Sequence, residues 1–141
     1  MKIIGLDIGK ARIGVASCDE LEILATGMMT IYSQSLTKDV LKVVELVNNY
    51  KVTTLVVGLP LQMNGQEGEM AKYVHLFCNK IKEYVDVNII LVDERLTSIQ
   101  ADEYLHLAGT KKNKKKGVLD QVAASIILQN YLDNKEMYNG K

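Results

Sequence analysis

Long apolar runs are missing from this chain. No uninterrupted stretch approaches the roughly 20 residues that a membrane-crossing helix needs, and the start lacks the basic, apolar and small-residue succession of a secretory signal. A cytoplasmic protein with no membrane partner is therefore expected. Net charge is missing too: 17 Lys and Arg balance 17 Asp and Glu. The molecule as a whole has no long-range pull on nucleic acid, and any such binding must come from a local patch. The two cysteines, Cys18 and Cys78, have no paired spacing and read as small buried apolar residues rather than a disulfide or zinc ligands. The two histidines, His75 and His106, form no metal motif and read as solvated. Aromatic residues that could stack on bases make up only 6% of the chain. What remains, 141 residues at 48% hydrophobic and 24% charged, is the make-up of one globular domain with a core of its own. We place that domain at 1–133 and expect the polar tail, 134–141, to fray.

The chain opens on its most informative stretch. Lys2 to Ile8 is an apolar strand that runs into an aspartate, turns through Gly9 to Arg12, and returns as a second small-residue strand. Alternation sets Ile4, Leu6 and Ile8 on one face and Ile3, Gly5 and Asp7 on the other. A carboxylate there is costly unless paired, hydrogen-bonded or bound to a cation, and Gly5, Gly9, Gly14 and Ala16 leave room beside it. Glu22 to Ile31 reads as a third strand, completing an antiparallel meander. Ser33 or Ser35 then caps a helix with Val40, Val43, Val44 and Val47 on one stripe, and Lys38, Asp39, Lys42 and Glu45 elsewhere.

Thr53 to Gly58 and Ile89 to Val92 read as strands buried on both faces, the first stopped by Pro60 and the second by Asp93-Glu94-Arg95. Between them lies a helix with Met70, Val74, Phe77, Cys78 and Ile81 on one side. Thr97 and Gln100 form a capping-box pattern for a further helix bearing Ala101, Tyr104, Leu105 and Ala108 and closed by Gly109. A lysine-rich loop follows, and the last helix runs from about Val118 to Asp133. The expected class is α/β, a mixed sheet with helices on both faces. Right-handed crossovers make the two later strands parallel to the first, so Asp7 and the Asp93-Glu94 pair leave the sheet at the same edge.

In the last helix Asp120 shares a stripe with Ala123, Ala124, Ile127, Leu128 and Tyr131, so an acid in the first turn faces the sheet. A first-turn acid is favourable to the helix dipole by about 0.3 to 1 kcal/mol, but that does not explain its core-facing position. Carboxylates gathered from two strand ends and a helix start repel one another unless a cation lies among them. Oxygen-only donors favour a hard ion, Mg²⁺ or Mn²⁺, and such ions serve phosphoryl chemistry. Arg12, Arg95 and the run Lys111, Lys112, Lys114, Lys115 and Lys116 are the candidate grips for a phosphate backbone. Alternation alone does not choose between Asp93 and Glu94.

Four blocks of this sequence, in order, resemble the YqgF family of ribonuclease-H-like nucleases. They are Gly5-Leu6-Asp7 through Arg12-Ile13-Gly14-Val15-Ala16; Val57-Gly58-Leu59-Pro60-Leu61 with Gly65 and Gly68; Asp93-Glu94-Arg95-Leu96-Thr97-Ser98; and Lys116-Gly117 with Asp120, Ala123, Ala124 and Leu128-Gln129. Members of that family are described as Holliday junction resolvases and, in bacteria, as pre-16S ribosomal RNA nucleases. The resemblance implies a five-stranded mixed sheet, three strands antiparallel and two more parallel, with catalytic, metal-binding carboxylates at Asp7, Glu94 and Asp120. One departure is visible. Many ribonuclease-H-like nucleases carry an acid at the end of the fourth strand, where this chain reads Gly58-Leu59-Pro60, so the acid after the fifth strand has to substitute.

The expected activity is metal-dependent hydrolysis of phosphodiester bonds in structured RNA, the ribosomal precursor being implied by the resemblance alone. A resolvase acting on junction DNA is the alternative, and the chain is expected to be a monomer or a homodimer, with two symmetry-related cuts requiring the dimer. A non-catalytic nucleic-acid-binding or ribosome-assembly module is a further possibility. The Asp7-Ile8-Gly9 hairpin also resembles the phosphate loop of actin-like ATPases and sugar kinases, but those close two such lobes around ATP and this chain holds one.

Overall fold

The computed structural model describes residues 2–95 and 116–138. Alternating apolar residues with few breakers give β1 (Ile3–Ile8), β2 (Arg12–Cys18) and β3 (Ala25–Tyr32), an antiparallel meander. The third strand starts three residues later than its pattern suggests. Asp19 Oδ1 accepts from the N–H groups of Ile23 and Leu24 at 2.7 and 3.0 Å, and Glu22 takes a left-handed φ of 59°, so the turn consumes the residues up to Leu24. After α1 (Leu36–Tyr50), β4 (Thr54–Leu59) pairs parallel to β1; after α2 (Glu69–Lys82), β5 (Asn88–Asp93) pairs parallel to β4. The strand order is β3-β2-β1-β4-β5, the five-stranded mixed sheet the sequence implies.

Both faces of the sheet are covered. Ile4, Leu6 and Ile8 pack with Leu55 and Val57 beneath the Val40, Val43, Val44 and Val47 stripe of α1 and the Val74, Phe77 and Ile81 stripe of α2. Ser35 is the cap of α1, accepting from the Lys38 N–H. On the opposite face Ile3, Ala16, Val56 and Val92 pack under Ala124, Ile127, Leu128 and Tyr131 of α3 (Lys116–Asp133). Gly14 is what brings that helix down, because a β-carbon there would stand 3.1 Å from Asp120 Cβ and closer still to the Asp120 carbonyl group.

Two expectations are corrected. Asp39, expected off the apolar stripe of α1, is 2% exposed, and its carboxylate accepts from the Ser33 hydroxyl and the Gln34 N–H, so a buried, hydrogen-bonded acid sits outside the stripe that the pattern marks for burial. In β5 only Val92 is fully buried, since among the described residues this is an edge strand paired on one side. Within the segment after α3, Lys135–Tyr138 forms a one-turn helix, α4, with a Tyr138 hydroxyl bond to Asn130 Oδ1 at 2.8 Å and a tilted Tyr131–Tyr138 ring contact, while residues 139–141 lie outside the described residues. The helix predicted around Thr97 to Ala108, its Gly109 end, and His106 lie outside the described residues. No described helix is long and apolar enough to cross a membrane.

Candidate active site

Three strand ends meet at one edge of the sheet. Asp7 stands opposite Gly14 in the β1–β2 register, Leu6 pairs with Val57 of β4, and Leu59 pairs with Asp93 of β5. The chain continues the β5 pairing by one bond, Glu94 N–H to the Leu59 carbonyl at 3.0 Å, and this carries the Glu94 side chain back toward the sheet. There it lies across Gly58: a β-carbon on Gly58 would fall 2.7 Å from Glu94 Cγ and 2.5 Å from Ile127 Cδ1. The missing fourth-strand acid and the glycine in its place are thus one arrangement. A carboxylate from the fifth strand end occupies the space that a side chain at Gly58 would fill.

Asp7 and Glu94 share a hydrogen bond, which requires a proton between two carboxylates. Burial raises the Asp7 pKa first, and the charge of Asp120 adds to the rise. Glu94 is pushed up to about 8, by burial first and then by the Asp7 charge, so it is the natural holder of the shared proton. Asp93 behaves in the opposite way. Arg95 grips it through Nη2 at 2.7 Å and Nε at 3.1 Å, and the backbone N–H of Arg95 donates to it at 2.9 Å, holding its pKa down. The two neighbouring acids that alternation could not separate therefore have different partners.

Asp120 is 2.6 Å from Arg12 Nε, a contact that joins the last helix to the first hairpin. The helix begins at Lys116, two residues earlier than its pattern suggests, which puts no acid in its first turn. The dipole account of Asp120 weakens accordingly, because that effect fades beyond the first turn. Both candidate arginines thus stand on carboxylates, Arg12 on Asp120 and Arg95 on Asp93. Lys111, Lys112, Lys114 and Lys115 lie outside the described residues, as does the Lys116 side chain, though Lys116 opens α3 in its backbone. Two supports of the site went unread in the sequence. Thr30 Oγ donates to the Gly117 carbonyl at 2.6 Å and accepts from Gln121 at 3.1 Å, fixing the start of the Asp120 helix on β3. Neither residue type stands out in a chain read one element at a time.

The chemistry of this donor set suits a hard cation. Two half-buried carboxylates side by side carry a charge that either a proton or a metal ion must offset, and their oxygens are the ligands that Mg²⁺ and Mn²⁺ prefer. Among the described residues no three acid, histidine or cysteine side chains converge closely enough to enclose an ion, and Asp120 pairs with Arg12.

Residues 1–134 match the family model described as "RuvX: Holliday junction resolvase". The chain belongs to the RuvX family. RuvX relatives include a protein of Natranaerobius thermophilus, 45% identical over 135 residues that cover 96% of each chain, and one of Endomicrobium trichonymphae, 46% identical over 133 residues covering 94% of this chain and 95% of that one. Each carries the name "Putative pre-16S rRNA nuclease". Among solved structures, the chain is similar to RuvC of T. thermophilus in complex with a Holliday junction substrate, with a TM-score of 0.57, 12% identity, and coverage of 93% of this chain and 94% of that one. It is similar also to the Fowlpox virus resolvase in its complex with Holliday junction DNA, with a TM-score of 0.58, 12% identity, and coverage of 96% and 99%. At such low identity these likenesses establish the RuvX chain as ribonuclease-H-like, of the RuvC kind, in fold.

Proposed function

We propose that this protein is a divalent-cation-dependent endonuclease that hydrolyses phosphodiester bonds in structured RNA, with the precursor of 16S ribosomal RNA as its substrate. The observation that carries the reading is the Asp7–Glu94 pair, two half-buried carboxylates brought into hydrogen-bonding contact from separate strand ends. Their proximity costs folding energy that a structural role alone does not repay. The names of the relatives supply the RNA.

Asp7, Glu94 and Asp120 are the residues that would hold Mg²⁺ or Mn²⁺, Asp120 after parting from Arg12. A bound ion of this kind polarises a phosphoryl oxygen and lowers the pKa of a coordinated water. The protein's own part is positional. Rigid strand ends fix Asp7, Gly58 leaves the path by which Glu94 reaches it, and Glu94 would release the shared proton to solvent for the pair to serve as ligands. Arg12 and Arg95 offer planar N–H donors to phosphate at the rim, and the Lys111 to Lys116 run extends that grip in a sequence-independent way.

The test is cleavage by the purified protein on a panel of structured RNA and four-way DNA junctions, with Mg²⁺, Mn²⁺ or a chelator, beside Asp7→Asn. RNA cleavage that needs the cation and is lost in Asp7→Asn is expected; cleavage that survives the substitution discards the site. A second reading, a resolvase of DNA junctions, is favoured by the description of the family model. Paired symmetric cuts in the DNA arm by a stable dimer would establish it instead.

A further inference from the structure

After β4 the chain does not pass directly into α2. Leu61 and Glu67 form an isolated antiparallel bridge, and the residues between them close a small hairpin. The Gly65 N–H donates to the Gln62 carbonyl at 2.7 Å, the Gln62 N–H to the Gln66 carbonyl at 2.9 Å, and the Gln66 N–H to Asn64 Oδ1 at 3.0 Å. Gly65 has a φ of +86°, open to glycine at little cost, which allows so tight a reversal. At the tip Met63 is 89% exposed, more than any other large apolar side chain among the described residues.

A loose tip bearing an exposed methionine would call for no explanation. This tip is clamped. Arg95 Nη1 donates to the Met63 carbonyl at 3.2 Å while the rest of the same guanidinium holds Asp93. Asp93 ends β5 and is the chain neighbour of Glu94, so the hairpin is braced to the strand end that carries a candidate ligand. The tip is also uncharged from Leu61 to Gln66 in a chain that is 24% charged. Phosphates are gripped by cations, and this projection has none to offer. It presents a polarizable thioether, which packs well on ring faces and edges, surrounded by the amides of Gln62, Asn64 and Gln66, each with donor and acceptor groups suited to base edges. Ring faces become available only where a base leaves its stack.

We propose, resting on the nuclease reading above, that the Met63 hairpin is a base-contacting wedge that selects nucleic acid with an unpaired or unstacked nucleotide beside the scissile phosphate over continuous duplex. The experiment compares the full chain with Met63→Ala and Met63→Phe on two short RNA stems, one with a bulged 2-aminopurine and one fully paired with 2-aminopurine inside the stem. Binding and fluorescence are read in chelator, then kcat and KM with Mg²⁺ on cleavable versions. The expected result is about 2- to 10-fold weaker binding of the bulged stem by Met63→Ala, the range that a thioether–ring contact supports. The paired stem should bind unchanged, KM on the bulged stem should rise with kcat held, and Met63→Phe should restore or tighten binding. Equal loss on both stems, or no loss on either, overturns the wedge; the second result would leave the tip to another class of partner. If the wild-type chain binds and cuts while the Met63 variants match it, the wedge alone falls. If the wild-type chain binds neither stem, the nuclease reading falls and the wedge goes with it.

Discussion

The Glu94 side chain occupies the space that any residue larger than glycine at position 58 would fill. Gly58→Ala should therefore act on the site through Glu94. Overpacking of this kind costs about 1 to 3 kcal/mol, and displacing a reacting group by about 1 Å can cost on the order of a hundredfold in rate. We expect a melting temperature lower by a few degrees and cleavage reduced about a hundredfold. Full activity in a measurably destabilised Gly58→Ala protein would show that Glu94 does not need this path.

Asp93 and Glu94 are adjacent in sequence and should differ in effect. Glu94→Gln keeps the shape and removes the ionisable oxygen facing Asp7, so metal-dependent cleavage should fall at least a hundredfold, as in Asp7→Asn. Asp93→Asn weakens the partly exposed Arg95 pair, an interaction of about 1 kcal/mol or less, while an amide oxygen still accepts from the Arg95 N–H, and it should retain activity within a few-fold. Kinetics of the two variants side by side decide it, and an exchange of their behaviour would reverse the assignment.

The shared proton makes stability depend on pH. Glu94 titrates near 4.5 in an unfolded chain and near 8 in the folded one, and the Asp7 pKa is raised as well. Between those values the native state binds more protons than the unfolded state, so unfolding free energy falls as pH rises. Below about 4.5 Glu94 is protonated in both states and above about 8 it has lost the proton in both, so its contribution is confined to that interval, and the raised Asp7 adds a decline that begins lower, from its unfolded value of 3.8. Urea titrations in chelator should show stability declining across that window. Glu94→Gln should flatten the decline, and Mg²⁺ should stabilise the wild-type protein more at pH 8 than at pH 5 because the ligands must be deprotonated. A decline of the same size in Glu94→Gln would assign the proton to other groups.

The lysine run should grip phosphates without reading sequence. Neutralising Lys111, Lys112, Lys114, Lys115 and Lys116 together should weaken RNA binding and flatten its salt dependence, by roughly one unit of log-log slope for every phosphate no longer neutralised. Turnover at saturating substrate should change much less. If binding and slope survive the loss of all five, the phosphate path runs elsewhere, along Arg12 and Arg95.

The sequence by itself determined the parts that rest on period and punctuation. Alternation in Ile3 to Ile8, the Val40 to Val47 and Val74 to Ile81 stripes, and the stop at Pro60 specify strands and helices because burial of one face is a local demand, repeated every two or every three to four residues. The four motif blocks carried the family, and with crossover handedness they brought Asp7 and Asp93-Glu94 to one sheet edge. Only the tertiary structure decided which neighbouring acid turns inward, because alternation relates residues within a strand and is silent on which face meets which partner. Arg95 taking Asp93, Gly58 admitting Glu94, Arg12 holding Asp120, and the burial of Asp39 under Ser33 and Gln34 are all settled by groups that meet in space. The energies of such pairings depend on burial and on the partner's charge, and neither exists until the sheet and its covering helices have come together.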